Sequence, residues 1–199
     1  MIGCVVLLGL GVGMGLGADI DRRTVQYLAL RSGDAPGWLI SATQWFSWIG
    51  GGPQRTFSVI VIALALWRWQ GALAGLAMAL ASLVSNLLSE FLKVEFARQR
   101  PGLTAHLDQV GGSLSFPSGH SASAAAVYLL LAWLLPAELR RPWLVLAVVL
   151  IFLTGLSRIL LGVHYPSDVI GGWMLGTAFA LVGVHFAGPA RSSADRIRS

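Results

Sequence analysis

Three short stretches hold most of the residues able to do chemistry: KVEFARQRP at 93–101, PSGH at 117–120 and SRILLGVHYPSD at 157–168. Lys93, Arg98, Arg100 and Arg158 are cations at the edges of long apolar runs, where unanswered charge costs roughly 2.5–3.5 kcal/mol per residue at a helix centre. Asp168 is the one acid in these stretches clearly placed to answer them. A cation cluster short of carboxylates calls for an anionic ligand. The arginine fork matches phosphate oxygens, and a lysine adds a point charge. Headgroup snorkelling explains any one of these cations alone, but not all of them together.

The other two stretches add function to charge. Pro117 cannot continue a helix backward and Ser118 is a good N-cap, so the amides of Ser118, Gly119 and His120 are expected to open a helix, which is an anion site. His164 and Asp168 stand four apart across a helix start with Pro166 near its first position. There the carboxylate can fix one imidazole nitrogen and leave the other as a nucleophile. A nucleophile with an orienting acid, cations for equatorial oxygens and a second histidine for the leaving oxygen make a covalent phosphoryl-transfer apparatus. Nine acids in all make a carboxylate cage for two metal ions a poor fit, so no metal and no cofactor are expected.

The elements that must hold these stretches are apolar. Of 199 residues, 55% are hydrophobic and only 12% charged, with a mean hydropathy of +0.71. Soluble domains carry about 25% charged residues, so the chain reads as an integral membrane protein. The net charge of +5 does not point to nucleic acid, because the basic residues cap apolar runs and form no stripe interleaved with aromatics. A lone cysteine, Cys4, excludes disulfides within the chain and cysteine metal sites.

Six membrane-helix candidates follow: Met1–Gly17, Thr56–Trp69 (longer if it begins near Gly51), Gly71–Leu92, Ser118–Leu135, Trp143–Leu161 and Pro166–Phe186. The first lacks a basic lead, which argues against a secretory signal and leaves the completeness of the N-terminus undecided. Its glycines at 9, 11, 13, 15 and 17 suit close helix packing. Asp19–Arg23 reads as a helix start in water, 38–49 as a tryptophan-rich segment at headgroup level, and Glu138–Pro142 as a turn. Ser82, Ser85, Asn86, Ser89 and Lys93 form a polar stripe on one helix face, with Glu90 beside it as a local ion partner. Gly172 and Gly176 make a GxxxG pair. His106 lies in the loop after Arg100, and His185 lies far from the three stretches. Short-loop cations favour both termini inside, which puts all three chemical stretches on the outer face.

The pattern resembles the PAP2 superfamily of type 2 phosphatidic acid phosphatases: KxxxxxxRP at Lys93 to Pro101, PSGH at Pro117 to His120, and SRxxxxxHxxxD at Ser157 to Asp168, with every spacing kept. The resemblance covers 71–186 closely and the first two spans only in general plan. It implies an all-α bundle of six transmembrane helices with the active site at the outer membrane–water interface. It further implies one domain over 1–187, with core motifs at 93–168 and a polar tail at 188–199. His164 would be the nucleophile, Asp168 its orienting acid and His120 the general acid. Lys93, Arg100, Ser118, Gly119 and Arg158 would bind phosphate, with Arg98 as an accessory from an RxRP variant, and no metal. The expected function is hydrolysis of a lipid phosphomonoester or diphosphate (undecaprenyl diphosphate, phosphatidylglycerol phosphate or phosphatidic acid) in a bacterial inner membrane, facing the periplasm. The partners are the bilayer and its lipid phosphate, with oligomeric state open. A lipid phosphotransferase using the same intermediate is one alternative. A non-catalytic phospholipid binder or transporter is another, although it would need the cations without the His164–Asp168 spacing.

Overall fold

A computed structural model describes residues 1–103, 105–108 and 111–188, so most of the expected polar tail lies outside the described residues. Eight helices follow in chain order among these residues: α1 (Ile2–Gly13), α2 (Ala18–Leu28), α3 (Gly37–Gly50), α4 (Gly52–Gln70), α5 (Ala72–Phe96), α6 (Gly119–Leu134), α7 (Ala137–Leu160) and α8 (Pro166–Ala187). An isolated antiparallel bridge, Gln99 to Leu114, ties the α5–α6 connection to itself.

Three helices, α5, α7 and α8, are each long and apolar enough to cross a membrane. Two bent pairs, α1 with α2 (85°) and α3 with α4 (50°), pass only when taken together, and α6 is a shorter apolar helix. Leu7, Phe57, Leu64, Leu73, Val145 and Phe152 face outward, an apolar girdle far larger than a soluble monomer carries. The chain is an integral membrane protein.

Two expected elements differ. The first apolar run is a helix of 12 residues and not a span of seventeen. Gly15 and Gly17 take φ of +84° and +76°, a conformation cheap only for glycine, and turn the chain into α2. Of the glycines in that run, Gly9 packs closely: a Cβ there would lie 2.3 Å from Phe96 Cζ, while Gly3 and Gly13 face open space. The expected turn over Glu138–Pro142 is instead the start of α7, whose N-cap is Pro136 and whose first turn holds Glu138. Pro142 falls early enough in the helix that only a carbonyl near its solvent end loses a donor, and Arg140 stacks over Trp133 at 5.0 Å.

Between helices in lipid there is little hydrophobic drive, so close backbone approach supplies the association energy. The α6–α8 seam shows this. A Cβ on Gly172 would meet the Ser118 carbonyl oxygen at 2.4 Å, and one on Gly176 the Ala122 oxygen at 2.0 Å. The first residues of α6 are small and buried, from Ser121 through Val127. With 16 residues at 1.5 Å each, α6 spans about 24 Å, short of the ~30 Å hydrocarbon core, so its N-terminus opens inside the bundle.

All the connections that carry chemistry meet at one end. Asp21 of α2 reaches Ser167 of α8, Gln44 of α3 donates to the Leu107 carbonyl at 2.8 Å, and Leu107 N–H donates to the Leu161 carbonyl at 3.1 Å. Gly176→Val should cost about 1–3 kcal/mol through overpacking of the α6–α8 seam, read as an earlier thermal unfolding midpoint in detergent, whereas Gly13→Val in open space should move it far less.

Candidate active site

The His164–Asp168 unit begins where α7 stops. Gly162, at φ +73°, closes a turn that returns the N–H groups of Val163 and His164 to the Arg158 carbonyl at 3.1 and 3.2 Å. Pro166 then starts α8, and Asp168 in its first turn accepts the Tyr165 N–H at 2.9 Å. The same carboxylate oxygen lies 3.4 Å from His164 Nδ1. On the other face, an Arg100 Nη sits 3.0 Å from His164 Nε2. Guanidinium only donates and a carboxylate only accepts, so the contacts assign the tautomer: the proton is on Nδ1 and the lone pair on Nε2. Burial first, and then the charges of Arg158, Arg100 and Lys93, hold this imidazole neutral well below the usual histidine range.

Asp168 is itself held from behind. Arg98 donates one nitrogen to Asp168 Oδ1 at 2.5 Å and to Ser167 Oγ at 2.7 Å, and the other to Asp21 Oδ2 at 2.7 Å. Ser167 closes the ring by donating its N–H to Asp21 Oδ1 at 3.0 Å. Burial would lower the Arg98 pKa, but Asp168 and Asp21 together raise it. Arg98, expected as an accessory phosphate ligand, therefore points away from the cavity and braces the acid. Asp21, expected in water, is 3% exposed.

The cavity in front of His164 measures about 470 Å³ and is lined by Arg55, Asn86, Glu90, Lys93, Arg100, Gly112, Gly119, His120 and Arg158, among others. Lys93 pairs with Glu90 at 2.6 Å, as the sequence suggested for that acid, and its Nζ lies 3.7 Å from where a Cβ on Gly119 would stand. Arg100 is anchored through the Gly112 carbonyl at 2.8 Å and the Val163 carbonyl at 2.9 Å. Arg158, 1% exposed, bonds the Asp108 carboxylate and the Ser47 hydroxyl. Its Nε is buried with no partner among the described residues. The His120 ring lies against Gly51, where a Cβ would fall 1.9 Å from Nε2.

One expected amide is spent elsewhere. Ser118 N–H donates to the Asp168 carbonyl at 2.9 Å, and its hydroxyl caps α6 by accepting from Ser121 N–H at 3.5 Å. Ser118 thus ties the two helix starts together, and the amides of Gly119 and His120 remain as the helix-end donors. His106 contacts the Pro101 carbonyl at 2.7 Å, outside this cavity, and His185 stacks on Phe186 at the far end of α8. Sequence reasoning missed Asp21, Ser47, Arg55 and Asp108 as contributors. Asn86 was on the polar stripe, and the shortage of acids relative to buried cations was the one available hint for Asp21 and Asp108.

The family model described as PAP2 superfamily matches residues 70–191. The chain belongs to the PAP2 superfamily. It is 35% identical over 124 residues to phosphatidylglycerophosphatase B of Bacillus subtilis, covering 59% of this chain and 60% of that protein. It is 30% identical over 136 residues to undecaprenyl-diphosphatase of Sulfolobus acidocaldarius, covering 63% and 62%. The aligned region thus spans about 60% of the length of these curated relatives. The crystal structure of a transmembrane PAP2-type phosphatidylglycerolphosphate phosphatase from Bacillus subtilis superposes with a TM-score of 0.82 at 27% identity, covering 92% of this chain and 91% of that one. The family match starts at the end of α4, so Asp21, Ser47 and Arg55 all lie outside it.

Asp21 reaches the site only through Arg98 and Ser167, so Asp21→Asn should lower kcat by roughly 10–100-fold, the range for losing one charged hydrogen bond. KM and inhibition by inorganic phosphate should stay near wild type, as steady-state kinetics on the purified protein would show.

Proposed function

We propose that the protein is a membrane lipid phosphatase that hydrolyses a lipid phosphomonoester or diphosphate through a phosphohistidine. The observation that carries this reading is the His164 assembly: a neutral imidazole with its proton held toward Asp168 and its lone pair facing a cavity walled by Lys93, Arg100 and Arg158. A protein that only bound phosphate would need those cations, but not an imidazole oriented from behind by two carboxylates and an arginine.

In the first step, the Nε2 lone pair of His164 forms a bond to phosphorus while the bond from phosphorus to the lipid oxygen breaks in line. His120 gives its proton to that oxygen, and the lipid leaves as an alcohol or a phosphate. In the second step, water attacks the phosphohistidine, His120 takes its proton, and inorganic phosphate departs with His164 restored. Lys93, Arg100, Arg158 and the amides of Gly119 and His120 meet the charge that spreads over the equatorial oxygens. Arg100 must leave Nε2 for phosphorus to arrive, and the unpartnered Nε of Arg158 supplies a donor ready for an oxygen. No step draws on a metal. Among the described residues no group of three or more His, Cys, Asp or Glu forms a metal site.

The same reading sets the membrane arrangement. One domain over 1–187 would cross the bilayer six times, with the bent pairs α1–α2 and α3–α4 each supplying one crossing beside α5, α6, α7 and α8. The α2 and α3 limbs of those pairs would then lie beside the site, on the periplasmic face of a bacterial inner membrane. The meeting of α2, α3 and both motif-bearing connections at one end supports this arrangement.

Purified protein should release phosphate from at least one member of a panel of lipid phosphates, and EDTA should leave the rate unchanged. His164→Ala should lose about 10⁴-fold or more while still binding lipid phosphate. Acid-labile label from a ³²P-lipid should appear on wild-type protein quenched in base. Retained turnover in His164→Ala would rule out the covalent route.

A further inference from the structure

One cation in the cavity has no task in the steps above. Arg55 sits one turn into α4, its N–H returning to the Gly51 carbonyl at 3.4 Å. Gly51 is the residue that the His120 ring lies against. A single helix start therefore forms both the wall behind the leaving-group acid and the mount for Arg55. The guanidinium is half-buried and donates to a neutral partner, the Asn86 Oδ1 at 3.0 Å. Among the described residues no carboxylate lies within ion-pair distance of it, and the neighbouring acid, Glu90, is engaged by Lys93.

The other cations divide clearly. Arg98, Arg158 and Lys93 are each met by a carboxylate. Arg100 and Arg55 are not, and both line the same cavity, Arg100 at the nucleophile end and Arg55 beside the His120 wall. A partly buried guanidinium satisfied only by an amide has lost hydration that an anion would restore. In-line displacement puts the leaving oxygen opposite the nucleophile. Groups beside His120 therefore face whatever the leaving oxygen is bonded to.

We propose that Arg55, with Asn86 beside it, is a second anion subsite that binds the phosphate left on the lipid after cleavage. The arginine fork would engage two oxygens, and the Asn86 amide nitrogen would donate to one. The leaving group this subsite selects is an anion: the lipid monophosphate released from a diphosphate, or a leaving alcohol that carries a phosphodiester. A substrate whose leaving group is a neutral glycerol lipid leaves the subsite empty. The proposal rests on the phosphatase reading, which defines the leaving-group side.

The test compares substrates within one variant. For wild type and Arg55→Ala, kcat/KM is measured on a polyprenyl diphosphate, on phosphatidylglycerol phosphate and on phosphatidic acid. Arg55→Ala should lower the ratio of diphosphate to phosphatidic acid activity by roughly 10–100-fold, the effect of one charge-assisted hydrogen bond. The phosphatidylglycerol phosphate ratio shows whether a more distant phosphodiester uses the subsite as well. This ratio is independent of the folded fraction, and Arg55→Lys, which keeps the charge but loses the fork, should give an intermediate value. Equal losses on all substrates, or none, would overturn the proposal. A second arm needs no turnover: in a His164→Ala background, calorimetry should show inorganic pyrophosphate binding about tenfold or more tighter than inorganic phosphate, and adding Arg55→Ala should abolish the difference. If no lipid is hydrolysed but this preference is present and depends on Arg55, the phosphatase reading falls and the subsite stands. If pyrophosphate shows no advantage, the subsite falls whatever the activity.

Discussion

The structure depends on how Asp168 is held. A carboxylate with no solvent exposure at the head of a membrane helix is costly unless donors surround it. Arg98, the Tyr165 N–H and His164 surround this one. That arrangement fixes the imidazole, and through the Ser118 N–H on the Asp168 carbonyl it also fixes the start of α6 relative to α8. The starts of α6 and α8 are therefore one hydrogen-bonded body, clamped along the seam where Gly172 and Gly176 let the backbones touch.

Arg98 would be a liability in this setting if Asp168 were its only partner, because its charge would then pull the acid away from His164. Asp21 prevents this. It takes the second nitrogen of the guanidinium and binds Ser167 as well, so the arginine spans two carboxylates. Arg158 follows the same logic with Asp108 and Ser47. In both cases the counter-charge comes from a segment far away in sequence, and Asp21, like the neutral Ser47 that bonds Asp108, lies outside the part of the chain that the family model covers. The N-terminal helices thus act as electrostatic support for the site as well as membrane scaffold.

This division also explains how far the sequence could be read. His164 with Asp168, Ser118 as a cap and Lys93 with Glu90 are local spacings, and helix geometry carries them directly into contacts. The long apolar runs became α4 to α8 nearly as expected. What could not be read was pairing across the bundle: Asp21 meets Ser167 over 146 positions and Asp108 meets Arg158 over 50, and neither leaves a periodic trace. The contacts of Arg98 with Asp168 and Asp21 were hidden for the same reason, since its spacing in the RxRP pattern does not say which way the side chain turns. The shortened first helix and the helical start of α7 turned on two glycines and one tolerated proline, whose effect depends on what packs around them.

The central claim is that the cavity is built for one phosphoryl group bonded to His164 Nε2 with Arg100 displaced. A structure determined with orthovanadate bound tests it most directly. Vanadium is expected at bonding distance from Nε2, with Lys93, Arg100 and Arg158 on the equatorial oxygens and the opposite apical oxygen at His120. Vanadate bound elsewhere, with the Arg100–His164 contact intact at 3.0 Å, would contradict it.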